Sequence, residues 1–215
     1  MNGPHQGQPI RVAGVPLEEA EAAAILVHGR GATAQSILTL VPEIAQEGFV
    51  YLAPQAANNT WYPNSFLAPI PTNEPGISSG IARLASLVEQ AETAGIPAKR
   101  VMLIGFSQGA CLTTEFVARH ARRYGGAAGL SGGLIGPEGT PRDYDGSLDG
   151  TPIFLGCSDR DPHIPAKRVR HTQEVLERLG GNVTMRLYPN MAHTINRDEI
   201  EQIRTMMGTI LSNGF

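Results

Sequence analysis

The 215-residue sequence predicts an α/β domain: a mostly parallel central sheet with helices on both faces. Three observations carry this. Strand-like and helix-like segments alternate from end to end, the order in which helical crossovers join parallel strands. The strand-like segments are short unbroken apolar runs, such as Ala24-Ile25-Leu26-Val27 and Val101-Met102-Leu103-Ile104, as strands covered on both sides require. No repeat or linker divides the chain, so 1–215 reads as one domain without a large cap, with a flexible stretch at 1–9.

Residues 8–13 read as an edge strand and 23–28 as a central one. Ile37, Leu40, Val41 and Ile44 have helical spacing, which predicts one helix over 33–47. A strand over 49–53 precedes a long helix over 77–94, which Gly95 ends. The strand at 101–106 runs into a helix over 108–123, free of proline and of glycine beyond its first turn. Further strands fall at 127–130, 152–156 and 183–188, with helices at 166–179 and 197–211. Two loops interrupt this order: 54–75, with five prolines, four asparagines, Trp61, Tyr62 and Phe66, and the Gly/Pro/Asp-rich 134–150. Both follow strands, which puts them at the carboxyl edge of the sheet, where open α/β sheets bind ligands. Trp61 and Tyr62 are therefore candidates for substrate contact.

A net charge of −3 speaks against nucleic acid or an anionic membrane as partner. The N-terminal residues lack the apolar core of a signal peptide, and no apolar run reaches membrane-spanning length. Cys111 and Cys157 fall in a helix and at a strand end, as buried free thiols rather than a bridge. A cytoplasmic protein, monomeric or homodimeric and without stable membrane association, is expected. Two cysteines with no Cys/His cluster predict no metal.

Gly105-Phe106-Ser107-Gln108-Gly109 sits between the 101–106 strand and the helix that follows it. A serine on so sharp a turn is pushed into the open, and small residues two before and two after it let the turn close. The next N–H, at a helix start, can meet the oxyanion formed when serine attacks a carbonyl. Gly129-Leu130-Ser131-Gly132-Gly133 matches the same pattern, but the glycines and proline after it lead into a loop, so Ser107 is the candidate nucleophile.

A serine needs a base and an orienting acid, in the order Ser, acid, His on this kind of fold. His120 and His171 fall inside helices, whereas His193 follows the last strand at the same sheet edge as Ser107. The acid belongs after the 152–156 strand, where Asp159 and Asp161 stand. Asp161 is favoured because Pro162 holds it extended, with Asp159 as the alternative. His163 lies in the same loop, within reach of substrate. In His28-Gly29-Arg30-Gly31 the glycines allow close backbone approach, which assigns the amides of Arg30 and Gln108 as the oxyanion pair and His28 as a loop holder.

These motifs resemble the phospholipase/carboxylesterase family of α/β-hydrolases, together with Ala53-Pro54-Gln55-Ala56, Thr60-Trp61-Tyr62 and Ser158-Asp159-Arg160-Asp161-Pro162-His163. The resemblance runs from about residue 20 to the end. It implies Ser107, Asp161 and His193 as triad, the amides after the His-Gly pair and after the serine as oxyanion hole, and no metal or cofactor. The chain departs from the family's thioesterases at Arg30, where they carry an apolar residue. The expected activity is hydrolysis of small, short-acyl carboxylic esters. A thioesterase or lysophospholipase on the same residues, and a non-catalytic binding protein on the same fold, are the alternatives.

Overall fold

The computed structural model describes residues 3–212. Seven strands form one sheet: β1 (Ile10–Gly14), β2 (Ala22–Val27), β3 (Phe49–Pro54), β4 (Val101–Phe106), β5 (Gly126–Leu130), β6 (Pro152–Ser158) and β7 (Asn182–Tyr188). Their order across the sheet is β1-β3-β2-β4-β5-β6-β7. Only β1 is antiparallel to its neighbour; every other pair is parallel. This is the mostly parallel sheet of an α/β-hydrolase.

Every residue of β2, β3 and β5 is buried, because helices cover both faces. The helices are α1 (Ala34–Ile37), α2 (Val41–Ile44), α3 (Gly76–Thr93), α4 (Gln108–Arg119), α5 (Ala166–Arg178) and α6 (Arg197–Ser212). Side chains alternate across a strand, so Ala23, Ile25 and Val27 join one core with α3, α4 and α5. Ala22, Ala24 and Leu26 face the opposite way, into a core with α1, α2 and α6.

Three expectations need correction. The single helix over 33–47 is three short turns, since Pro42 lacks the N–H that would carry a continuous helix through. The helix after Ser107 ends at Arg119; Arg122 lies beyond it, paired with Glu92, and Arg123 bonds the Asp149 carbonyl. The N-terminal stretch is fastened rather than loose over its described residues. His5 is 2 % exposed, its Nε2 hydrogen-bonds the Trp61 carbonyl at 2.9 Å, and its Nδ1 accepts from the Ala57 amide.

Candidate active site

β4 delivers Ser107 into a backbone conformation of φ 55°, ψ −119°, before α4 begins at Gln108. A positive φ on a non-glycine residue costs about 1–3 kcal/mol and persists only where its surroundings force it. They do so here. The Ser107 amide is bonded to the Leu130 carbonyl at 2.9 Å, and a side chain at Gly109 would overlap the Val27 carbonyl. Ser131, the second pattern match, also has a positive φ, but it is 0 % exposed and leads into a loop.

Ser107 Oγ lies 2.8 Å from His193 Nε2, and His193 Nδ1 lies 2.7 Å from Asp161 Oδ2. Asp161, its carboxylate sealed from solvent, also accepts the His163 and Ile164 amides at 2.8 and 3.0 Å. Burial pushes this carboxyl up, but the bond to His193 and the two amides outweigh it and hold Asp161 below its usual range. An ionised acceptor on Nδ1 places the ring proton there and leaves Nε2 to take the proton of Ser107.

His193 Nδ1 is paired with Asp161, and Asp159, the alternative acid, is engaged elsewhere. Its Oδ1 accepts the Asn190 amide at 2.8 Å, and its own amide donates to the Tyr188 carbonyl, bracing the loop that carries His193.

On the other side of Ser107 lies the 28–31 turn. Gly29 is so close that a side chain there would stand 3.3 Å from Ser107 Cβ. His28, buried, bonds the Gly29 carbonyl through Nδ1 at 2.8 Å and accepts the Ala56 amide at Nε2, so it holds the turn as expected. Burial lowers its pKa, consistent with a neutral ring. The Arg30 amide has no acceptor among the described residues, and the Gln108 amide opens α4, where no preceding turn supplies one. Both amides are available to an oxyanion. The Gln108 side chain, by contrast, is committed to the Trp61 amide and the Tyr62 carbonyl.

Ser107, Gln108 and His193 open onto a cavity of about 450 Å³, also lined by Arg30, Tyr62, Asn64, Phe66, His163 and Ile164. Tyr62, 2 % exposed, only backs the cavity wall, and of the two it is His163 that stands where substrate would lie, edge-on to His193 at 4.9 Å. Trp61 does not. It is 0 % exposed, its indole N–H donates to the His28 carbonyl, and its ring packs against His5 and His28. The expected substrate contact is a core strut behind the 28–31 turn, satisfied by a backbone partner that sequence does not reveal. His5, which completes that strut from 56 positions away, carried no local signal. The 134–150 loop also stays out of the cavity lining; there Arg142 and Tyr144 reach buried Glu115. Among the described residues no group of three or more His, Cys, Asp or Glu is placed to hold a metal.

One buried acid lies just behind this site. Glu199 caps α6: its Oε2 accepts the Asn196 amide at 2.9 Å while Asn196 Oδ1 accepts the Glu199 amide. Its other oxygen is buried against Gly156 without a partner. Burial pushes its pKa from 4.5 up to about 7, against the pull of the Asn196 amide. The folded form therefore keeps a proton that the unfolded chain releases between those values. Stability falls as pH rises through that window, by about 3 kcal/mol in all. Glu199→Gln should remove this slope. Denaturant unfolding at pH 5 and pH 8 should show the variant gaining about 2 kcal/mol on wild type; parallel behaviour would refute it.

The sequence profile of the phospholipase/carboxylesterase family matches residues 12–211. An acyl-protein thioesterase 1 of Debaryomyces hansenii is 27 % identical over 94 % of this chain and 96 % of its own. A phospholipase/carboxylesterase crystal structure from Dyadobacter fermentans superposes with a TM-score of 0.90 at 41 % identity, covering 95 % of this chain and 97 % of that one. A Mesorhizobium loti carboxylesterase, at 20 % identity and a TM-score of 0.72 over 97 % and 99 % of the two chains, shares the fold. With both its length and its sheet accounted for, the chain belongs to the phospholipase/carboxylesterase family of α/β-hydrolases, serine hydrolases of the esterase and thioesterase type.

Proposed function

We propose that the protein is a carboxylesterase acting on small, short-acyl esters through Ser107, His193 and Asp161. The observation that carries this is the hydrogen-bonded chain from Ser107 Oγ through His193 to Asp161, open at the serine end to the cavity. Ser107 Oγ adds to the ester carbonyl as its proton passes to His193 Nε2. The oxyanion is met by the Arg30 and Gln108 amides. Collapse of the adduct expels the alcohol, which leaves with the proton from His193, and Ser107 keeps the acyl group. Water, deprotonated by His193, then releases the acid and restores the serine. Asp161 fixes the ring tautomer and offsets the charge that His193 gains. No metal or cofactor takes part, and no nucleic acid or membrane is needed for the reaction.

A fluorophosphonate probe should label Ser107; a non-catalytic binding protein would stay unlabelled. Substrate length is the finer test. The cavity presents a guanidinium at Arg30 and polar groups at Asn64 and His163, with Phe66, Ile164 and Pro63 as its apolar contacts. A long alkyl tail would have to strip water from these groups, whereas a short acyl group leaves them wet. In a p-nitrophenyl ester series kcat/KM should peak at two to four carbons and fall roughly tenfold by dodecanoyl. A rate climbing steadily to palmitoyl would instead favour the thioesterase activity named for the Debaryomyces relative.

A further inference from the structure

Arg30 has a position, a charge and spare donors that the ester reaction leaves unexplained. Its guanidinium lines the same cavity as Ser107 and His193. Nη1 donates to Thr60 Oγ1 at 3.1 Å and to the Pro63 carbonyl at 2.8 Å, and Nη2 donates to the Asn64 carbonyl at 2.6 Å. Its carbon sits 5.9 Å from the centre of the Tyr62 ring. A surface arginine ordinarily sweeps out many rotamers; this one is held in place. All three acceptors are neutral, so its charge is held but not cancelled. Among the described residues no carboxylate lies within ion-pairing distance of it.

No Asp or Glu lines the cavity either. The nearby carboxylate, Asp161, is sealed and already engaged by His193. The amino end of the 12-residue helix α4, at Ser107, adds further positive potential. Of the five N–H groups of a guanidinium, three are used, which leaves Nε–H and one Nη2–H for a ligand. A planar donor pair of this kind matches a carboxylate or a phosphate better than a neutral ester chain.

We infer that Arg30 is a specificity-determining residue, and that the preferred substrate is an ester bearing an anionic group, carboxylate or phosphate, close to its scissile carbonyl. This rests on the esterase reading above and narrows its substrate class. The anion replaces water on a guanidinium already oriented by the loop, so little side-chain entropy is lost on binding. The same charge that repels a long alkyl tail then favours a short acid-bearing one.

The test compares matched esters that differ in charge. One pair places the charge on the acyl side: p-nitrophenyl hydrogen glutarate against p-nitrophenyl valerate, corrected for spontaneous hydrolysis. A second places it on the alcohol side: 4-carboxyphenyl butyrate against its 4-carbamoyl analogue. Wild type should favour the anionic member of at least one pair. The anionic-to-neutral ratio of kcat/KM should fall about 10- to 100-fold in Arg30→Gln, whatever happens to the neutral rate, and recover partly in Arg30→Lys. Should the glutamine variant not fold, wild type still decides: the ratio should drop several-fold between low and roughly 0.5 M salt.

Inorganic phosphate and glutarate should also slow fluorophosphonate labelling of wild type, a readout independent of turnover. Protection by glutarate alone, by phosphate alone, or by both identifies the anion. A ratio near one in both pairs with no salt effect, or a variant in which both members fall equally, would overturn the inference and leave Arg30 as a clamp on the 60–64 loop. If neither neutral ester is turned over and the probe does not label, it is the esterase reading that has failed.

Discussion

Ser107→Ala removes ester hydrolysis, leaving at most the ~10³-fold acceleration over water that binding and oxyanion stabilisation supply without a nucleophile. The loss is this large because serine and histidine act as one unit: without Oγ, His193 has nothing to activate at 2.8 Å. The fold should survive, since Ala tolerates the turn little worse than Ser and the Leu130 contact is made by the backbone amide. Ser131→Ala is the matched control. Its hydroxyl is sealed from the cavity, so most of the activity should remain. Initial rates on a short-chain p-nitrophenyl ester decide it; an active Ser107→Ala enzyme and a dead Ser131→Ala enzyme would refute the elbow assignment.

Asp161→Asn should lower kcat by about 10⁴, the cost that a wrong tautomer and an uncompensated imidazolium carry in serine proteases. An asparagine can keep accepting the His163 and Ile164 amides, so the loop should stay in place while the chemistry fails. Asp159→Asn keeps an acceptor for the Asn190 amide and touches no ring nitrogen, so its loss should stay within about tenfold. The two aspartates brace opposite ends of one loop–loop contact, and the double variant should be no worse than Asp161→Asn alone. A dead Asp159→Asn beside an active Asp161→Asn would move the acid two residues earlier.

The parts of this molecule written in short-range pattern were legible in the sequence. Buried strands announce themselves as apolar runs, and Ser107 announces itself by what precedes and follows it. His193 follows from strand order, because parallel strands deliver their loops to one edge; the same rule brings both Asp159 and Asp161 there, and only Pro162 and the family resemblance favour Asp161. What escaped depends on partners far along the chain. Trp61 reads as an exposed aromatic in a polar loop until the His28 carbonyl and His5 are found behind it. His5 itself sits among glycines and prolines that, taken locally, spell a loose end. The interrupted helix after β2 shows the other limit. Its apolar spacing was right for burial, yet Pro42 decided the backbone. Asp159 reads in the sequence as the alternative acid; its brace on Asn190 spans 31 positions, and no local rule foretells it.

Strand β7 closes one edge of the sheet, as β1 closes the other. It pairs only with β6, and most of its residues are half-buried, whereas β2, β3 and β5 are covered throughout. His193 hangs directly beyond this margin, 86 positions from the serine it must meet. Peripheral strands open at lower free energy than central ones, without the rest of the domain coming apart. On warming, the enzyme should thus fall silent while its helices and inner sheet are still standing, and cooling should restore it. Working life, in this architecture, is set at the rim rather than at the core.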